Sequence, residues 1–113
     1  MPQWVEHMRQ RFTSLDMDAW RALAQRLGLD DHLEKSIYML STGSMRKLYL
    51  CTVLCAGARL TLVDEPFAAL DHASVATVLD ELRTWESQTD RACVVADYVP
   101  PPGVQLAQRL VMA

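Results

Sequence analysis

Three short patterns in this chain carry side chains that could do chemistry. Leu62-Val63-Asp64-Glu65-Pro66 is an apolar run closed by two adjacent acids. At the end of a strand, one carboxylate can hold Mg²⁺ while its neighbour orients a water. Leu40-Ser41-Thr42-Gly43-Ser44-Met45-Arg46 stands where a helix should begin. A helix N-terminus with a hydroxyl cap and a glycine offers unpaired N–H groups and a positive dipole end to an anion. Ala69-Leu70-Asp71 follows the acids by a few residues. Taken singly these are a serine cap, exposed acids at a strand end and an aspartate cap.

The elements that must position them follow from the periodicity. Pro2 suits a first helical turn, and Val5, Met8 and Phe12 recur at helical spacing. Asp16 caps a second helix, Trp20, Leu23, Ala24 and Leu27 give it one apolar stripe, and Gly28 stops it. Residues 29–40 read as a short helical turn and a loop. Ser41 caps the next helix, which is apolar around most of its girth after Leu48 and ends at Gly57. Leu60-Thr61-Leu62-Val63 and Ala92-Cys93-Val94-Val95-Ala96 lack alternation, which is how strands covered on both faces read. Between them Asp71 caps a helix with Val75, Val78, Leu79 and Leu82 on one face. Leu110-Val111-Met112 reads as a weak terminal strand, and Trp20 and Trp85 as packing residues. Helices followed by strand, helix, strand make an α/β chain with a helical segment in front.

Composition limits the function. In 113 residues, 50% hydrophobic and 22% charged, disorder and low complexity are excluded. No apolar run approaches the ~18 residues that span a bilayer, and no secretory signal is expected. The net charge is −3, which argues against nucleic acid as a partner. Eight basic and six acidic residues in 1–59 give +2, whereas three and eight in 60–113 give −5. Cys51, Cys55 and Cys93 read as buried, reduced thiols and not as a metal set.

At this spacing the three patterns resemble the second half of an ABC-transporter ATPase domain. Leu40, Ser41, Gly43 and Arg46 match the signature L-S-G-G-Q region that opens a helix, with Thr42 and Ser44 in place of its first Gly and its Gln. Asp64 matches the Walker B aspartate, Glu65 the catalytic glutamate, and Ala69-Leu70-Asp71 the D-loop. The likeness extends over nearly the whole chain. It implies a helical subdomain at 1–40, followed at 41–113 by the signature helix, Walker B strand, D-loop and switch strand of a P-loop NTPase-like parallel sheet with flanking helices.

That resemblance implies roles. Glu65 would activate water, Asp64 would hold Mg²⁺ through water, and Ser41, Thr42, Gly43 and Ser44 would touch the ATP of a second ATP-binding subunit. Asp71 would line the nucleotide interface. The switch position, a histidine in the family, falls at Tyr98. No G-x-x-x-x-G-K-[ST] loop is present, since Lys35 follows Glu34 and Lys47 follows Arg46. The chain would therefore be a fragment or a truncated product, without ATP or Mg²⁺ bound on its own, and inactive alone. The implied partners are a membrane permease, met by 4–33, and a second ATP-binding subunit. The implied location is cytoplasmic, at the inner face of the membrane. An alternative is a non-catalytic module that binds a permease or a full ATPase. Loss of the P-loop strand would open a sheet edge and expose apolar side chains, so self-association through that edge is expected.

Overall fold

Asp16 has extended backbone and its carboxylate accepts from the Ala19 N–H at 3.0 Å, which starts a helix at Met17. The computed structural model describes residues 2–32 and 34–112. In it α1 spans Pro2–Arg11, α2 Met17–Arg26, α3 Thr42–Cys55 and α4 His72–Arg83; strand β1 spans Leu60–Asp64 and β2 Ala92–Ala96. Short 3-10 turns occupy Asp30–His32, Ile37–Met39 and Thr84–Ser87. Of the segment 4–33 expected to meet a permease, Leu33 lies outside the described residues, as does Met1 of the expected 1–40 subdomain.

One core joins the helices to the sheet. Trp20, Leu23, Ala24 and Leu27 of the α2 stripe, Leu48, Leu50, Cys51, Leu54 and Cys55 of α3, Val63 of β1, and Val78 and Leu82 of α4 form a single buried cluster. Trp20 Nε1 donates to Thr52 Oγ1 at 3.2 Å, and that hydroxyl donates to Leu48 O at 3.0 Å. A buried indole N–H is thereby satisfied across the α2–α3 seam. The turn between α1 and α2 is bound to the far end of α3. Asp16 N–H donates to Cys55 O at 2.9 Å and Ser14 Oγ to Ala56 O at 2.7 Å. Gly57, at φ +74°, lets the chain leave α3 against Ser14.

β1 and β2 pair in parallel, Leu60 with Ala92 through Asp64 with Ala96, and α4 makes the crossover. Here two expectations fail. The strands are covered on one face only. Thr61 and Val63 are buried and Cys93 and Val95 half-buried, whereas Leu60 is 57%, Leu62 64% and Val94 50% exposed. The helices fill one side of the sheet, and the described residues place no layer on the other. Leu110-Val111-Met112 forms no strand; Leu110 is 90% exposed. A β-prone run becomes a strand only when an edge takes its backbone groups, and this one lies against none.

Candidate functional site

β1 ends at Asp64, and the chain turns at once. Glu65 adopts φ +46°, a left-handed conformation costly for a residue with a Cβ. Its N–H donates to Ala96 O at 2.7 Å, so the turn stays tied to the end of β2. Its carbonyl accepts from Ala68 N–H at 3.1 Å, and Pro66 behind it is fully buried. Beyond β2, the Asp97 carboxylate accepts from the Tyr98 N–H at 2.7 Å. Asp64, Glu65, Ala96, Asp97 and Tyr98 line one open depression of about 300 Å³ at the carboxyl ends of both strands. Open α/β sheets bind ligands at that edge.

Ser41 caps α3 as its sequence requires. Its hydroxyl accepts from Ser44 N–H at 3.1 Å, and Met45 N–H donates to Ser41 O at 2.9 Å. The N–H groups of Thr42 and Gly43 point out of the helix end, available to an outside acceptor. Gly43 packs on the turn after the acids. A methyl there would lie 3.0 Å from the Ala69 carbonyl oxygen, and Ala69 itself is left-handed at φ +62°.

The next turn of α3 holds the same two segments by charge. Arg46 Nη2 donates to the carbonyl of Asp64 and, at 2.5 Å, to that of Glu65. Its guanidinium lies over the Tyr49 ring, 5.3 Å from the centroid. Lys47 Nζ is 3.6 Å from the Asp71 carboxylate. Asp71 occupies the N-cap position of α4, with Val75 N–H donating to its carbonyl at 2.9 Å, but its carboxylate caps no backbone N–H. A hydrogen bond from the Ser74 side chain, and secondarily Lys47, hold that carboxyl below its ordinary pKa. Arg46 and Lys47 are thus half-buried clamps; a lysine or arginine beside a cap otherwise reads as a solvated face.

The structure brings Asp64, Glu65 and Tyr98 together on one depression and leaves Ser41, Thr42, Gly43, Ser44 and Asp71 off its lining. The two groups are joined through Arg46 and through the contact of Gly43 with Ala69. Sequence reasoning missed Asp97 as a third acid of the depression. Its signal was an acid directly after a strand, the same signal that marks Asp64. Among the described residues no three Asp, Glu, His or Cys side chains converge on a metal position. The sequence holds no G-x-x-x-x-G-K-[ST] loop that would cradle a triphosphate.

No family model matches the chain. It is 29% identical over 101 residues to the phosphonates import ATP-binding protein PhnC 2 of Oceanobacillus iheyensis, covering 89% of this chain and 40% of that protein. It is 34% identical over 86 residues to the molybdenum import ATP-binding protein ModC of Rhizobium johnstonii, covering 76% of this chain and 24% of that one. The chain thus spans well under half the length of these relatives. Among solved structures, RNase-L Inhibitor superposes with a TM-score of 0.63 at 21% identity, over 79% of this chain and 18% of that one. This supports the fold, a P-loop NTPase-like α/β arrangement. No helix of the described residues is long and apolar enough to cross a membrane. With its signature, Walker B and D-loop patterns in order, and these relatives beside it, the chain belongs to the ABC-transporter ATP-binding family and corresponds to the C-terminal portion of the ATPase domain.

Proposed function

We propose that the chain contributes the hydrolytic acids and the trans-acting signature helix of an ABC-type ATP-binding subunit, which in its complete form couples ATP binding and hydrolysis to transport. The observation that supports this most directly is the single depression shared by Asp64, Glu65, Asp97 and Tyr98, with Arg46 tying it to the signature helix. Asp64 supplies a carboxylate for Mg²⁺. Glu65 accepts a proton from the attacking water. Tyr98 donates a hydrogen bond from its hydroxyl to a phosphate oxygen where a histidine would stand in relatives. Thr42 and Gly43 N–H groups face the phosphates bound by a second ATP-binding subunit. Asp71 stands at the same interface. The helical part, 1–40, meets a permease on the inner face of the membrane, and 41–113 forms the catalytic part.

Phosphoryl transfer depends on positioning and charge stabilisation. With no Gly-Lys loop the chain alone holds neither ATP nor Mg²⁺ productively. Steady-state hydrolysis of Mg·ATP tests this. The chain alone should turn over no faster than its Glu65→Gln variant. A mixture with a polypeptide carrying an ABC-type P-loop should hydrolyse ATP, and Glu65→Gln should cut that rate by about 100-fold or more. Turnover by the isolated chain above the Glu65→Gln control would refute the reading.

The second reading is a non-catalytic module that binds a permease or a full ATPase. Thr42, Ser44 and Tyr98 favour it, because each departs from the residue that touches nucleotide in the family. An inert mixture that nevertheless forms a stable complex would support it.

A further inference from the structure

Asp64 and Glu65 line one depression, although neighbouring residues of a strand do not share a face. Along β1 the side chains alternate. Thr61 and Val63 are buried under the helices, whereas Leu60, Leu62 and Asp64 lie on the open side. Were the strand to run on, Glu65 would fall on the helix-covered side, away from Asp64. The left-handed turn at Glu65, φ +46°, takes it out of that alternation. Whatever holds the turn therefore aims the Glu65 carboxylate.

Part of the hold is backbone: Glu65 N–H donates to Ala96 O, and Glu65 O accepts from Ala68 N–H. The rest comes from α3. Arg46 Nη2 carries two N–H groups and donates to the carbonyls of both Asp64 and Glu65. These are the two carbonyls whose relative direction is set by the φ and ψ of Glu65. Successive carbonyls of an extended chain point to opposite edges of the strand, so one nitrogen reaches both only where the chain turns between them. The pair of bonds is thus specific to the turned backbone. Both are charge-assisted and stronger than neutral ones. Arg46 Nε is buried with no partner, so releasing the carbonyls would leave a half-buried cation further unpaired.

We propose that Arg46 is the positioning residue for Glu65, fixing the left-handed backbone that puts this acid on the same depression as Asp64. As a role in catalysis this rests on the ATPase reading; as a statement about the turn it does not.

Nuclear magnetic resonance of the isotope-labelled chain tests the turn. The α-carbon of a left-handed residue resonates downfield of that of an extended one. Arg46→Met should move the Glu65 α-carbon upfield and keep a cooperative thermal transition. Arg46→Lys, with its charge and donors on a shorter stem, should hold most of the parent shift. If Arg46→Met does not fold, Arg46→Gln is read in its place. A Glu65 shift indifferent to the loss of the charge overturns the proposal. Hydrolysis by the mixture with a P-loop-bearing polypeptide tests the consequence. Arg46→Met should lower kcat about 10-fold or more and leave KM for ATP within about 2-fold. In a Glu65→Gln background the same substitution should change kcat by less than about 2-fold, because Arg46 acts through Glu65. An undiminished loss in that background overturns the proposal. A mixture inert even with the parent chain removes the ATPase reading, and the Glu65 shift then decides the proposal by itself.

Discussion

Glu65 is a residue in tension with its backbone. At φ +46° a glycine would be unstrained, so Glu65→Gly should stabilise the chain by up to about 1 kcal/mol despite the extra freedom of the unfolded glycine. A urea midpoint no higher than the parent's would show that the turn is relaxed as it stands. Gly57 is the reverse case. Its φ of +74° and the Ser14 carbonyl oxygen 2.6 Å from where a Cβ would sit leave no place for a side chain. Gly57→Ala should cost about 2–3 kcal/mol in urea unfolding. The thiols give a pH dependence. Burial pushes Cys51 upward, Cys55 up to about 12 and Cys93 to about 11, from an unfolded value of 9.0. Above that unfolded value the folded chain binds more protons than the unfolded one, so the slope of stability against pH is negative. This contribution is complete below 9.0 and is lost as pH rises through the folded values. The urea midpoint should therefore fall across the alkaline range, and a Cys51→Ala/Cys55→Ala/Cys93→Ala variant should fall less steeply.

At the scale of elements, the α2–α3 seam is held by packing and one polar link. Thr52→Val keeps the volume but leaves Trp20 Nε1 buried without its acceptor. It should cost about 1–2 kcal/mol, and a loss under a few tenths in chemical denaturation would mean that water reaches the indole. The helices were legible because their stop and start signals are local. Asp16, Ser41, Gly28 and Gly57 each sit at the boundary they announce. The strands were legible in place and direction but not in cover. An unbroken apolar run such as Leu60–Val63 permits burial on both faces, and only the number of layers decides it. The same limit explains Leu110–Met112, whose β propensity finds no edge. At the site, the acids and the cap stood out from residue type and spacing. The reach of Arg46 to carbonyls 18 and 19 residues away did not, nor did the left-handed turn at Glu65, because both depend on how α3 lies against β1.

The whole molecule is unevenly secured. Residues 105–112 run over the surface without regular structure, with Arg109 among exposed neighbours, while Arg26 pairs with Glu81 at 3.2 Å and Arg46 is bonded. Brief trypsin treatment should cut after Arg109 well before it cuts after Arg26 or Arg46, as intact-mass measurement would read; early cleavage at Arg46 would mean that α3 opens readily. The clasp of Ser14 and Asp16 onto Cys55 and Ala56 has a further consequence for the order of folding. It closes residues 14–57 on themselves, enclosing α2 and α3 with most of the apolar cluster and no part of the sheet. Such a loop can form as a cooperative unit before β1 and β2 meet. Each helix forms from local contacts faster than two strands pair across a crossover, while the α2–α3 seam, from Trp20 to Thr52, spans as much chain as the pairing of Leu60 with Ala92. On a ribosome this unit emerges ahead of β1–α4–β2 and gives that segment a preformed surface on which to assemble.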